Sequence, residues 1–315
     1  MERGRSRRGG AAALFRAATV LPACGLLAAC ILLAACATAR VIPVGEIPAP
    51  LSGAAAAFAR PEPGAFAVAK GERKGEYGCP VPYETYLPEP ARTGTMVFLA
   101  HGFLRDLRSM RGWAARWASF GVPVTIMSLR NSTLLGGRHD RNAADILALA
   151  RSLHRGPVLY AGFSAGGLAA YLASIQDPRA VAYLGLDPVD AGDLARSSGV
   201  RFGVPALLLL AEPSSCNARG NFLQAIPNGG QIAVLRVLGA THCHFEDPYD
   251  AACGVLCGSV KPPEAAAQIS DTIHALATAW VLERTGVSPE AAQARDLLLL
   301  ARSAAAWRNR VAVIR

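Results

Sequence analysis

From residue 95 onward the chain alternates short, continuous apolar runs with longer amphipathic stretches, and this alternation restricts the possible folds more than any other feature. The apolar runs are TMVFLA (95–100), VPVTIMSL (122–129), PVLYAGF (157–163), AVAYLGLD (180–187), VPALLLLAE (204–212) and QIAVLRVLG (231–239). Residues 107–120 read as a helix with Met110, Trp113, Trp117 and Phe120 on one face, and 141–155, 165–176 and 263–286 read as further helices. A strand without polar alternation is buried on both faces. Six such strands with helices between them predict an α/β fold, a mostly parallel sheet with helices on both sides. With 52% hydrophobic and 17% charged residues in 315 positions, the chain can fill such a core. In this architecture functional side chains gather on loops at the carboxyl ends of strands.

One strand end carries GFSAGG, which sets Ser164 between Gly162 and Gly166. The chain's 31 glycines and 17 serines produce about 0.16 G-x-S-x-G matches by chance, so the pattern gains weight only from its context. The context is a strand before and a helix after. A tight strand-to-helix bend forces the serine into an unfavourable backbone conformation, and side chains at −2 and +2 would collide with the bend.

A serine hydroxyl needs a base within hydrogen-bond reach. Of six histidines, His154 and His274 fall in helices, His139 in a polar loop before a helix, and His101 opens the HGF turn. The remaining pair, His242 and His244, follows the last long strand in LGATHCHFEDP, where a base could reach back over the sheet. A carboxylate should orient the imidazole. Asp187 and Glu212 both end strands in the order serine, acid, histidine, and Asp190 reads as a solvated or helix-capping residue. Backbone donors for an oxyanion are expected at Ala165, which opens the helix, and at Phe103 in the HGF turn, or at Leu104 if that turn is one residue longer.

Together FLAHGFLRDLRSM, GFSAGG, YLGLDPVD and GATHCHFEDP resemble the α/β-hydrolases, within them the chlorophyllase and dienelactone-hydrolase branch, over residues 95–285. The resemblance implies the α/β-hydrolase fold and a serine hydrolase (carboxylic ester hydrolase) with a small-molecule ester as substrate and no cofactor or metal. It favours Ser164 as nucleophile, His242 as base and Asp187 rather than Glu212 as acid. The residue after the serine is Ala165 where plant chlorophyllases carry a basic one, so a pigment substrate is not implied. About 16 residues separate the Asp187 strand from the next, which leaves little or no room for a lid. The same triad could transfer an acyl group to an alcohol, and the fold could also serve a catalytically silent envelope lipoprotein as a binding scaffold.

The charge of +9 is uneven: residues 1–35 hold +4 and the remainder +5, with no Lys/Arg run or aromatic-interleaved stripe of the kind that binds nucleic acid. The first 36 residues read as an export signal, a basic start followed by an apolar stretch. It ends in LAAC (33–36), which resembles a bacterial lipobox, so Cys36 is the expected lipidation site, with Cys30 in a second LAAC as a weaker competitor. The alternative is a transmembrane anchor over 17–39. Export to the periplasmic side of the envelope and membrane attachment follow. Residues 37–77, rich in Ala, Pro and Gly, read as a tether with room for a short segment that packs on the domain, 78–286 as the hydrolase domain, and 287–315 as a C-terminal helix and tail expected to dock. An exported domain can carry disulfides. Cys79, Cys216, Cys243, Cys253 and Cys257 make an odd set, so one bridge within 243–257 and at least one free thiol are expected, with Cys79 and Cys216 equally readable as buried thiols.

Overall fold

The computed structural model describes residues 49–133, 136–199, 203–226, 231–257, 261–303 and 310–314. In chain order the elements are α1 (Ala49–Ala59), β1 (Phe66–Lys74), β2 (Pro80–Pro88), β3 (Met96–Ala100), α2 (Arg111–Ser119), β4 (Val124–Met127) and a small hairpin of β5 (Ser132–Thr133) and β6 (Gly136–Gly137). They continue with α3 (His139–Leu153), β7 (Val158–Phe163), α4 (Ser164–Ser174), β8 (Ala180–Leu186), α5 (Leu194–Ser197), β9 (Ala206–Leu210) and β10 (Ile232–Val237). The last four are α6 (Ala251–Leu256), α7 (Pro263–Thr285), α8 (Glu290–Ser303) and β11 (Val311–Val313).

Among the described residues nine strands form one mixed sheet in the order β1-β2-β4-β3-β7-β8-β9-β10-β11. The six apolar runs become the parallel centre, β4, β3, β7, β8, β9 and β10. Antiparallel strands close both sides, β2 on β4 with β1 beyond it, and β11 on β10. The continuous hydrophobicity of the central strands has a direct cause: successive residues feed two different cores. Val97 and Leu99 pack with Leu159, Ala161 and the helices α1, α2, α7 and α8. Phe98 and Ala100 pack on the other side with Tyr160 and the helices α3 and α4. The expected α/β architecture with a mostly parallel sheet is therefore present.

The helices follow their sequence signals closely. Met110, Trp113 and Trp117 are fully buried and Phe120 is half-buried, although the first turn, Leu107–Met110, is a separate 3-10 turn capped by the Asp106 carboxylate. The helix α7 ends at Gly286, whose φ of +72° suits a glycine cap.

Both ends of the domain are more ordered than their composition indicates. Residues 49–74, assigned from composition to the tether, are part of the folded domain. Phe58 and Ala55 are buried between α1 and its neighbours, and β1 runs antiparallel to β2 over nine residue pairs. Alanine-rich sequence lets α1 lie close against α7, and one phenylalanine supplies the anchor. At the other end the expected tail includes the strand β11, with Leu235, Arg236 and Val237 of β10 paired to Val313, Ala312 and Val311. Among the described residues no helix is long and apolar enough to cross a membrane. The leader, Cys30, Cys36 and residues 37–48 lie outside the described residues.

Candidate active site

The chain passes from β7 into α4 through Ser164, whose φ is +54°, a left-handed conformation that costs a non-glycine residue about 1 kcal/mol or more. Neighbouring backbone makes glycine obligatory on both sides. A methyl group on Gly162 would lie 2.4 Å from the Gly166 carbonyl oxygen, and one on Gly166 would lie 2.0 Å from the carbonyl oxygen of His101. The bend is thus packed between its own first turn of helix and the end of β3.

The hydroxyl that this bend presents meets the histidine of the loop after β10. His242 Nε2 lies 2.9 Å from Ser164 Oγ and accepts its proton, while Nδ1 lies 2.6 Å from Asp187 Oδ2 and donates to it. All three residues are buried, Asp187 almost completely. Asp187 follows β8 at a φ of +44°. Its other oxygen accepts the backbone N–H of Ala211 at 3.0 Å, and the Asn217 amide donates to the carboxylate at 3.1 Å. Asn217 has no exposed surface and also donates to the Glu212 carbonyl. It was invisible in the sequence, because an asparagine in a turn-rich loop resembles any other.

The rival candidates are elsewhere. The Glu212 carboxylate accepts the N–H of Gly239 and, among the described residues, makes no bond to a histidine, so the alternative acid does not reach His242. Asp190 caps α5, accepting the N–H groups of Ala195 and Arg196. His244 turns away from Ser164, its Nδ1 bonded by the N–H and hydroxyl of Thr241, and burial pushes its pKa down to about 4. His101 is equally committed to structure. Nε2 accepts the N–H of Leu129, which leaves Nδ1 to donate to the Gly102 carbonyl, and burial lowers this imidazole to about 4 as well.

Phe103 and Ala165, the expected oxyanion donors, line one cavity of about 330 Å³ with Gly102, Leu104 and Gly166. Gly102 approaches so closely that an added Cβ would lie 3.2 Å from Ser164 Cβ. The far wall is polar, with Arg130, Ser132, His139 and Asn142. Among the described residues no carboxylate pairs with Arg130. His139, without an expected role beyond its loop, stands at the start of α3 and faces this cavity edge-on to Phe103.

Two disulfides hold the loop that carries His242. Cys243 pairs with Cys253, the bridge expected within 243–257. Cys257 pairs instead with Cys216, beside Asn217, and so ties the His242 loop to the loop that supports Asp187. Closing that 41-residue separation restricts the unfolded chain by about 4 kcal/mol on a chain-entropy model. Among the described residues Cys79 is the free thiol. The sulfurs of Cys243, Cys253 and Cys257 lie within 4.8 Å of one another, and all three are bridged, so they present no thiolate to a metal. The start of α2 grips the same loop: the Trp113 indole N–H donates to the Phe245 carbonyl, and the Gly112 N–H to that of Asp247. No protein-family model matches the chain, and no curated protein matches it significantly.

Proposed function

We propose that the protein is a serine hydrolase of the α/β-hydrolase type that cleaves a carboxylic ester through an acyl-enzyme. The observation that carries this reading is the unbroken chain of hydrogen bonds Asp187–His242–Ser164, with the serine held in strain at the start of a helix. His242 takes the proton as Ser164 Oγ attacks the ester carbonyl, and Asp187 stabilises the imidazolium that forms. The N–H groups of Ala165 and Phe103 are the candidate donors to the tetrahedral oxyanion. Collapse expels the alcohol, protonated by His242, and water then repeats the sequence to release the acid. Every proton is handled by side chains of the chain itself.

The modest, polar-walled cavity supports a small polar ester over a long hydrocarbon chain. Export to an oxidising compartment draws support from the two disulfides, which a reducing cytosol would not maintain. Attachment through a lipid on Cys36 rests on the leader sequence alone.

The test is covalent labelling by a fluorophosphonate probe, followed by p-nitrophenyl esters graded in acyl length. The wild-type chain should be labelled and Ser164→Ala should not, with turnover greatest for the shortest acyl groups. Failure of the wild-type chain to react sinks the hydrolase reading and leaves the binding scaffold. Labelling without turnover of any ester favours acyl transfer.

A further inference from the structure

The turn that carries Phe103 is strained. It closes with a bond from the N–H of Arg105 to the carbonyl of Gly102 at 3.2 Å, and its third residue, Leu104, has a φ of +56°. That is the position where a turn of this kind favours glycine. A leucine there persists only when its surroundings hold it. The Leu104 side chain is 52% exposed, so packing over it is only partial. A further restraint lies on the next residue.

Arg105 supplies it. Its Nε donates to Glu246 Oε1 at 2.6 Å, and its Nη2 lies 3.2 Å from Asp250 Oδ2. Glu246 ends the short turn that begins at His242, and its side chain has no exposed surface. Its second oxygen, Oε2, is buried without a hydrogen bond among the described residues, so Arg105 is the principal partner of this carboxylate. Burial, aided by the nearby Asp250 carboxylate, pushes the Glu246 carboxyl above its usual range, and the Arg105 guanidinium opposes that shift. The ion pair thus joins two loops far apart in sequence, one with a candidate oxyanion donor and the other with the base.

We propose that Glu246 and Arg105 are positioning residues, a buried clasp that holds the strained Gly102–Arg105 turn against the His242 loop so that the Phe103 amide and the imidazole address the same reacting atoms. The proposal rests on the hydrolase reading and adds two residues to it. Its consequence is specific: loosening the clasp should slow chemistry at Ser164 while leaving the Ser164–His242–Asp187 bonds in place, and relieving the strain at Leu104 should make the clasp dispensable.

The rate constant for fluorophosphonate labelling of the full chain, prepared with its disulfides formed, reads this without a known substrate. Glu246→Gln should label about 10- to 100-fold more slowly, the penalty for a donor displaced by up to an ångström. Adding Leu104→Gly to Glu246→Gln should recover most of the rate, which a general loss of packing would not do. The neutral pair Arg105→Gln/Glu246→Gln leaves no buried charge alone and should fold even if Glu246→Gln does not. It should be as slow as Glu246→Gln and no slower, because the two residues act as one unit. Labelling of Glu246→Gln and of the neutral pair within twofold of wild type overturns the clasp and spares the hydrolase reading. So does failure of Leu104→Gly to recover any rate. A wild-type chain that does not react overturns both.

Discussion

At Gly162 and Gly166 a single added carbon is forbidden by backbone rather than by movable side chains, which makes these the least negotiable positions near the site. Gly166→Ala would put its methyl 2.0 Å from the His101 carbonyl oxygen, in the bend that also orients Ser164. The expected cost is about 3 kcal/mol of stability, measured by urea denaturation, together with loss of fluorophosphonate labelling. Unchanged stability would mean that the end of β3 can move away from the bend. The same scale shows how far residue type can be read in isolation. Ser164 declared itself because its flanking glycines have one steric explanation at a strand–helix junction. His242 and His244 could not be separated by position. Resemblance favoured His242, and their opposite orientations, one toward Asp187 and Ser164 and one toward Thr241, separate them in the structure. Asn217 and Glu246 act through contacts with residues 30 and 141 positions away, and no local pattern marks such partners.

At the scale of elements, the central strands and long helices were legible because each carries a period set by burial. Continuous apolar runs come from strands covered on both faces, and the Trp113/Trp117 spacing comes from one buried helical face. The helix α1 carries no such period: GAAAAFA reads equally well as a flexible linker, and its exposed faces differ from its buried ones by alanine against alanine. The edge strand β1 is mostly exposed and includes Lys70, Glu72, Arg73 and Lys74, so it lacks the apolar run that marks a central strand. Truncation of the anchor tests whether α1 belongs to the folded unit. Phe58→Ala should cost about 3 kcal/mol or more by chemical denaturation, as expected for a phenylalanine that is 1% exposed. A tether residue would cost nothing.

Across the whole molecule, burial leaves a signature in the response to acid. His101 and His244 are held to about 4 against an ordinary 6.5, and His139 and His274 are lowered by the same cause. The unfolded chain therefore binds protons that the folded one refuses. Stability from these groups is complete above about pH 6.5 and is lost progressively as pH falls toward about 4. His101 and His244 each account for about 3 kcal/mol over that window. Asp145 and Glu246, raised by burial, offset part of the loss. Denaturation curves at pH 7, 5.5 and 4 should show a steep decline, and a flat response would mean that the buried imidazoles are reached by water. The sequence by itself determined the alternating layers, the strained serine between its glycines and the region from which a base must come, because local sterics and burial periodicity are properties of short segments. The tertiary structure decided what local pattern left open and only resemblance favoured, that His242 faces Ser164 and Asp187 faces His242, and it alone decided that residues 49–74 belong to the domain and that Cys216 bridges to Cys257. Each of these depends on the distance between segments remote in the chain, and that distance is set by packing over the entire sheet.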